Sequence, residues 1–409
     1  MKKTVEERGV FLNKGKAVWN VSQEKALLGF LQDLIQIPSY SSQEEQVIKR
    51  IQQEMEMLNY DEVKIDDMGN ILGRIGSGEK VIVFDGHIDT VETGLLENWT
   101  KAPYSGEEDH QYIYGRGASD QKAGFAAAVH GAAWAKTQGN LEGVTLWVTG
   151  TVQEEDCDGL CWQYILDEKL ISPDFVVITE PTNLKIHRGQ RGRMEIQVKT
   201  KGISAHGSAP ERGENAIYKM AEILSELESL NHRLTVDPFL GKGSLTVSEI
   251  FYTSPSRCAV ADGCQISIDR RLTQGETKET AIQEIQQLPS VIKHQPEISL
   301  YTYDKASYTG LQKKVDCYFP TWVIEETHPY IDIVKKAYEE VTHQKPVLDK
   351  WTFSTNGVSI MGLYGIPCVG FGPGLEEEAH APNEKVLKEQ VITASLVYSK
   401  IPQIYGGQG

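Results

Sequence analysis

The sequence predicts an α/β fold: a largely parallel, mixed sheet with helices on both faces, interrupted by an inserted, smaller α+β lid or dimerisation domain. Three observations carry this. Short, continuously apolar runs alternate with helical stripes in the first 180 residues, the pattern of strands buried on both faces. From about residue 193 the strand candidates alternate apolar with polar residues instead, as in a sheet with one solvated face. The chain has 409 residues, more than one ordinary core organises.

Leu27, Leu28, Leu31, Leu34 and Ile35 form a helical stripe that stops before Pro38. Ser42 with Glu45 has the spacing of a capping box, and Ile48, Ile51, Met55 and Leu58 follow at helical spacing. Val81-Ile82-Val83-Phe84 is a buried strand candidate ending in Asp85-Gly86-His87. An Ala-rich helix is expected over 122–136, then a strand over 144–152 ending in Gln153-Glu154-Glu155. Phe175-Val176-Val177-Ile178 is a third buried strand, ending in Thr179-Glu180-Pro181.

The period then changes. Met194, Ile196 and Val198 alternate with Glu195, Gln197 and Lys199. Ile217, Met220, Leu224, Leu227 and Leu230 share a helix face; 265–269 alternates again, and 277–287 is a charged helix. A helix over 329–341 and a buried strand over 367–371 return to the first pattern. This places one domain at 1–189 and 306–409, carrying the candidate metal site, and an inserted domain at 190–305.

Composition narrows the function. The formal net charge is -16, unsuited to nucleic acid or an anionic membrane surface, which both require a positive patch. A small anionic substrate needs only one or two local cations and stays open. The start, Met1-Lys2-Lys3, has the charges of a signal peptide but no apolar core after them, and no run is long enough to span a membrane. The six cysteines are scattered and suggest unpaired thiols in a reducing, cytoplasmic setting.

Three apolar strands end in His87-Ile88-Asp89, Glu154-Glu155-Asp156 and Glu180, where open α/β sheets gather ligands. Two Gly/Pro-rich loops add Asp120 and His380. Taken singly, His87 and His380 are ordinary histidines, Glu154-Glu155-Asp156 a solvated acidic loop and Asp120 a helix cap. Together, imidazole and carboxylate suit zinc, and also cobalt or manganese.

Six pieces in order carry a resemblance: Gly86-His87-Ile88-Asp89-Thr90-Val91, Gly115-Arg116-Gly117-Ala118-Ser119-Asp120, Glu154-Glu155, Thr179-Glu180-Pro181, Gly202-Ile203-Ser204-Ala205-His206 and Ala379-His380-Ala381-Pro382-Asn383-Glu384. The chain resembles, over nearly its whole length, the co-catalytic zinc peptidases that include aminoacylase, acetylornithine deacetylase, succinyl-diaminopimelate desuccinylase and the glutamate carboxypeptidases. Ser254-Pro255-Ser256-Arg257-Cys258 and Asp269-Arg270-Arg271-Leu272 are similar to its selenium-metabolism-linked subgroup. Gln121-Lys122-Ala123-Gly124 departs from the family's usual wording after Asp120, so no relative's specificity transfers.

The resemblance implies a zinc-peptidase-like fold and two divalent metal ions per chain. His87 and Glu180 would bind one, Glu155 and His380 the other, with Asp120 between them. Glu154 would be the general base acting on a water shared by the metals, and Asp89 would fix the His87 imidazole. His206 would reach a partner subunit's site and stabilise an oxyanion, implying a homodimer through the inserted domain. Arg271, with Arg270 as competitor, matches the position that holds a substrate carboxylate. Asn356 fits a turn residue as well as a substrate contact. The implied reaction is cleavage of an amide bond in a small N-acyl amino acid, dipeptide or carbamoyl/ureido compound. The alternative is a catalytically inactive metal-binding or assembly protein of the same fold.

Overall fold

The computed structural model describes residues 19–407. The basic stretch 1–8, expected above to lack a signal-peptide core, lies outside the described residues.

The first helix, Val21–Gln36, buries Leu27, Phe30, Leu31, Leu34 and Ile35 and begins with a capping box between Asn20 and Gln23. It ends at Ile37, which Pro38 holds in an extended conformation. The second helix, Glu45–Met57, buries Val47, Ile48, Ile51 and Met55. The capping box expected between Ser42 and Glu45 does not form. Ser42 is left-handed (φ 68°) and its N–H donates to Glu44 Oε1 at 2.9 Å, while Glu45 pairs with Lys49 at 2.5 Å.

The large sheet runs in the order Glu62–Ile65, Ile71–Gly76, Val144–Thr151, Lys80–His87, Phe175–Ile178, Cys368–Gly370, Ile186–Gln190, Trp322–Val323, with Leu348–Trp351 also on Ile186–Gln190. Its centre, from Val144–Thr151 to Cys368–Gly370, is parallel; the neighbours on either side, Ile71–Gly76 and Ile186–Gln190, join antiparallel. Every residue of Val144–Thr151 and Phe175–Ile178 is buried, so both sheet faces are covered. Each fully buried Val, Ile or Phe here contributes about 1.5–3 kcal/mol. The helix Lys122–Thr137 lies against this centre. A Cβ on Gly124 would sit 1.9 Å from the Thr179 carbonyl oxygen, and one on Gly131 2.6 Å from that of Ser395. Only glycine allows the helix to approach the strand end at Thr179 and the helix Lys388–Gly406 this closely.

A second, antiparallel sheet runs Ser244–Thr253, Gly263–Leu272, Gly192–Lys201, Glu297–Leu300. Met194, Ile196 and Val198 face the helices Ala216–Arg233, Lys278–Gln286 and Pro289–His294, forming a buried cluster apart from that of the large sheet. The opposite face carries Arg193, Glu195 and Gln197 and is only partly covered. Several elements had no counterpart in the sequence reading, two of them long. The outer strand Ser244–Thr253 exposes most of its length, and the last helix, Lys388–Gly406, is buried on several sides and contains Pro402. Among the described residues no helix is long and apolar enough to cross a membrane.

Candidate metal centre

The parallel register places the chemistry. His87 ends its strand opposite Thr151, and the strand Phe175–Ile178 pairs two residues short of that level, with Ile178 opposite Asp85. The segments leaving the three strands therefore deliver His87, Glu154–Glu155 and Glu180 to one edge of the sheet. Asp120, from the loop before the Ala-rich helix, and His380, from the loop after the strand Cys368–Gly370, complete the group.

Asp120 sits between the two imidazoles. Its Oδ1 lies 3.0 Å from His87 Nε2, and its Oδ2 lies 3.5 Å from His380 Nε2. Glu180 Oε1 is 3.5 Å and Glu154 Oε2 is 3.9 Å from His87 Nε2. Glu155 Oε2 is 2.9 Å from His380 Nε2. His87, Asp120 and Glu155 bring ligand atoms close enough to share one ion, and so do His87, Glu154 and Glu180. His87, Asp120, Glu154 and Glu180 are buried, while the His380 side chain is 54% exposed.

Four carboxylates crowd two imidazoles here, and burial sets their acidities. Burial, with neighbouring carboxylates adding to it, pushes Glu154 and Glu180 well above the usual carboxylate range, and Glu155 upward too. Burial disfavours the His87 cation, but the charges of Glu180 and Glu154 outweigh it and raise that imidazole well above its ordinary value. Asp120, despite burial, is held low by its hydrogen bond with His87. Glu154 Oε1 and Glu180 Oε2 are buried with no hydrogen-bond partner, a costly arrangement for polar atoms. Orphaned carboxylate oxygens beside two imidazoles are a donor set that fits divalent cations, which compete with protons for the same lone pairs.

Asp89 faces the His87 imidazole, as expected, and also holds the turn that carries Glu154 and Glu155. His87 Nδ1 pairs with the Asp89 main-chain carbonyl at 2.9 Å, which leaves Nε2 directed at Asp120. The Asp89 carboxylate, its Oδ1 3.6 Å from His87 Nδ1, also accepts the N–H groups of Glu154 (3.2 Å) and Glu155 (3.1 Å) and the Ser41 hydroxyl (2.6 Å).

Three supporting residues were missed. Glu384, fully buried, accepts from Arg116 NH1 (2.7 Å) and from the N–H groups of Gly117 (3.0 Å), Ser119 (2.8 Å) and Asp120 (2.9 Å). Arg116 also donates to the His380 carbonyl at 3.3 Å, so one buried ion pair braces two candidate ligands. Both residues stand inside the quoted motifs, which was the signal available. Glu44, also fully buried, accepts from Ser42 N (2.9 Å) and Gln153 N (3.0 Å), steadying the turn just before Glu154. Nothing local in the sequence marks it.

The remaining candidates lie elsewhere. His206 is exposed, with Nδ1 engaged by Ser208, and does not join the cluster within one chain. Arg271 forks onto Asp269 of its own strand at 2.9 and 3.0 Å, whereas Arg270 is 1% exposed and paired with Glu276 and Glu284. Asn356 is 1% exposed. Its amide donates to Asp85 and Thr151 and accepts from Gly159 N and Cys161 Sγ, which uses all its hydrogen-bonding capacity internally.

Known proteins match both chain and fold. A protein of Escherichia coli K12, called Uncharacterized protein YgeY, is 57% identical over 373 residues, covering 91% of this chain and 93% of that one. Succinyl-diaminopimelate desuccinylase of Paracoccus denitrificans is 27% identical over 356 residues, covering 82% and 86%. Among solved structures, aminopeptidase PepT of Bacillus cereus shares the fold with a TM-score of 0.72 at 20% identity, covering 93% and 99%. Human carnosine dipeptidase 1 does so with a TM-score of 0.64 at 16% identity, covering 94% and 97%. The peptidase family M20/M25/M40 profile matches residues 83–403, a span that contains His87, Asp120, Glu154, Glu155, Glu180 and His380. The chain belongs to peptidase family M20/M25/M40, whose metallopeptidases use divalent metal ions, and is an enzyme that acts on amide bonds.

Proposed function

We propose that this enzyme hydrolyses the amide bond of a small N-acyl amino acid, dipeptide or carbamoyl/ureido compound, with Glu154 as general base. The observation that carries this is Asp120, whose two oxygens face two imidazoles from opposite ends of the chain, with Glu154 buried beside them. In this arrangement His87 and Glu180 would hold one divalent cation and Glu155 and His380 the other, with Asp120 serving both. Zinc is the proposed metal; cobalt and manganese suit the same donors. When bound, the cations supply Lewis acidity, polarising the substrate carbonyl and lowering the pKa of water.

Glu154 takes the proton of the attacking water and delivers it to the leaving nitrogen. Glu154 also lies within reach of a cluster with His87 and Glu180. Proton transfer is assigned to it because Glu155, its neighbour, is the one engaged with His380. A raised carboxyl pKa suits the second half of that task, donation to the leaving group. Arg271 is proposed to exchange Asp269 for a substrate carboxylate. An inactive protein of the same fold is not favoured, since all five ligands and the base are present.

A homodimer through the second sheet is part of the proposal. Its outer strand, Ser244–Thr253, has a free edge among the described residues and exposes Ile250, Phe251 and Tyr252, features that favour pairing with another chain. His206, solvent-exposed here, would then act across the interface. The six free cysteines suit a reducing compartment, and a cytoplasmic location is proposed. The test is hydrolysis of a panel of N-acyl amino acids, dipeptides and ureido compounds by metal-loaded and chelated protein. Turnover that disappears on chelation and returns with zinc is expected; turnover unaffected by chelation contradicts the proposal.

A further inference from the structure

The turn 153–158, which carries Glu154 and Glu155, is held from two sides. On the side of the candidate metals, Asp89 accepts the N–H groups of Glu154 and Glu155, and Glu44 accepts that of Gln153. Gln153 itself is left-handed (φ 58°), a conformation that external bonds must maintain.

On the other side stand residues from the crossing into the second sheet and from a hairpin set between two of that sheet's strands. The chain leaves the large sheet at Gln190 and enters the second at Gly192. One residue later, Arg193 NH2 donates to Asp158 Oδ2 at 3.0 Å. Its guanidinium lies 4.5 Å from the Phe319 ring centroid. After Leu300 the chain passes into Thr302–Tyr303, which pairs with Val315–Asp316, and it rejoins the second sheet at Tyr318–Phe319 before crossing back at Trp322–Val323. The Tyr303 hydroxyl accepts from Gln153 Nε2 at 3.0 Å and donates to Asp156 Oδ2 at 3.2 Å, so one buried phenol clasps residues on both sides of Glu154. Lys305 also reaches Asp156 at 2.8 Å, but its side chain is 65% exposed, and such a pair contributes little.

We infer that Tyr303 and Arg193 are positioning residues for the general base, and that through them the orientation of the second sheet sets the placement of Glu154. They act through the turn, without contact to the reacting atoms. The inference rests on the proposed role of Glu154. A crossing and a hairpin flanked by strands of the second sheet, both bonded to one six-residue turn, transmit a rotation between the sheets to that turn. A displacement of about 1 Å at a reacting group costs on the order of a hundredfold in rate.

The experiment compares metal-loaded wild type, Tyr303→Phe, Arg193→Gln and Arg193→Lys by amide hydrogen exchange, metal content and steady-state kinetics. In Tyr303→Phe and Arg193→Gln, exchange across 153–158 is expected to quicken about tenfold, with the strand Val144–Thr151 unchanged. Both variants keep wild-type metal content, and kcat falls about tenfold or more while KM moves little. Arg193→Lys, which keeps the charge facing Asp158, recovers part of the loss. Unchanged exchange in the turn, or a loss confined to thermal stability with kcat intact, overturns the inference. Failure of the underlying role is separable: Glu154→Gln with wild-type turnover removes that role, whatever the exchange data show.

Discussion

Replacing Glu384 with glutamine tests how the metal loop is held. Glu384 receives four donors at 2.7–3.0 Å: the Arg116 guanidinium and the N–H groups of Gly117, Ser119 and Asp120. Glu384→Gln keeps the side-chain volume but removes the charge and turns one acceptor oxygen into a donor facing other donors. Arg116 is 2% exposed and is left with the carbonyls of Glu92 and His380 and the Trp99 ring, none of them charged. Removing one partner of a buried ion pair costs about 3–5 kcal/mol, because the other charge remains buried. Each stranded N–H costs about 1–3 kcal/mol in isolation, but these losses share one site and do not add. The expected destabilisation is therefore about 3–5 kcal/mol, dominated by the arginine. Urea unfolding of chelated protein measures it without a contribution from metal binding. Adding Arg116→Met to Glu384→Gln should cost little further, since the stranded charge is gone. A Glu384→Gln protein within about 1 kcal/mol of wild type would refute the reasoning.

Glu154→Gln should lower kcat by about 10²–10⁴-fold while metal analysis still finds wild-type content. Glu44, raised to about 8 by burial and the nearby Asp89 charge, gives a pH prediction. Its folded pKa lies above its unfolded value, so its contribution to stability is complete below about pH 4.5 and is lost as pH rises through about 8. Glu44→Gln, which cannot ionise, should gain on wild type by on the order of a few kcal/mol between pH 5 and pH 9 in urea unfolding; parallel stability profiles would contradict this. Gly124→Ala would set a Cβ 1.9 Å from the Thr179 carbonyl, so a large fall in melting temperature is expected, with disturbed metal binding at the adjacent Glu180.

Continuous apolar runs made the central strands legible, because burial on both faces favours apolar residues at successive positions. The period-two pattern of 193–200 likewise marked a sheet with one covered face, and Met194, Ile196 and Val198 are its buried residues. The outer strand Ser244–Thr253 escaped notice because exposure on both faces removes the alternation that a core imposes. The helix Lys388–Gly406 escaped for the opposite reason: packing on several sides erases the one-sided stripe, and Pro402 argued against a helix. Ser42 misled, since a capping spacing says nothing about φ, and the chain uses a left-handed Ser42 to bring Glu44 under the acid turn. The ligand residues stood at strand ends and in recognisable motifs. Arg116 and Glu384 stood inside those motifs too, but their bracing role was not legible, nor was that of Glu44, because all three act through contacts with residues as much as 268 positions away.

The central claim is that two divalent cations share Asp120. Zinc titration of chelated protein, read by calorimetry and by metal analysis after gel filtration, tests it directly. Wild type should bind two ions per chain and His87→Ala one, held by Glu155, His380 and Asp120. A wild-type chain that saturates at one ion, or a His87→Ala chain that still binds two with unchanged affinity, would contradict it.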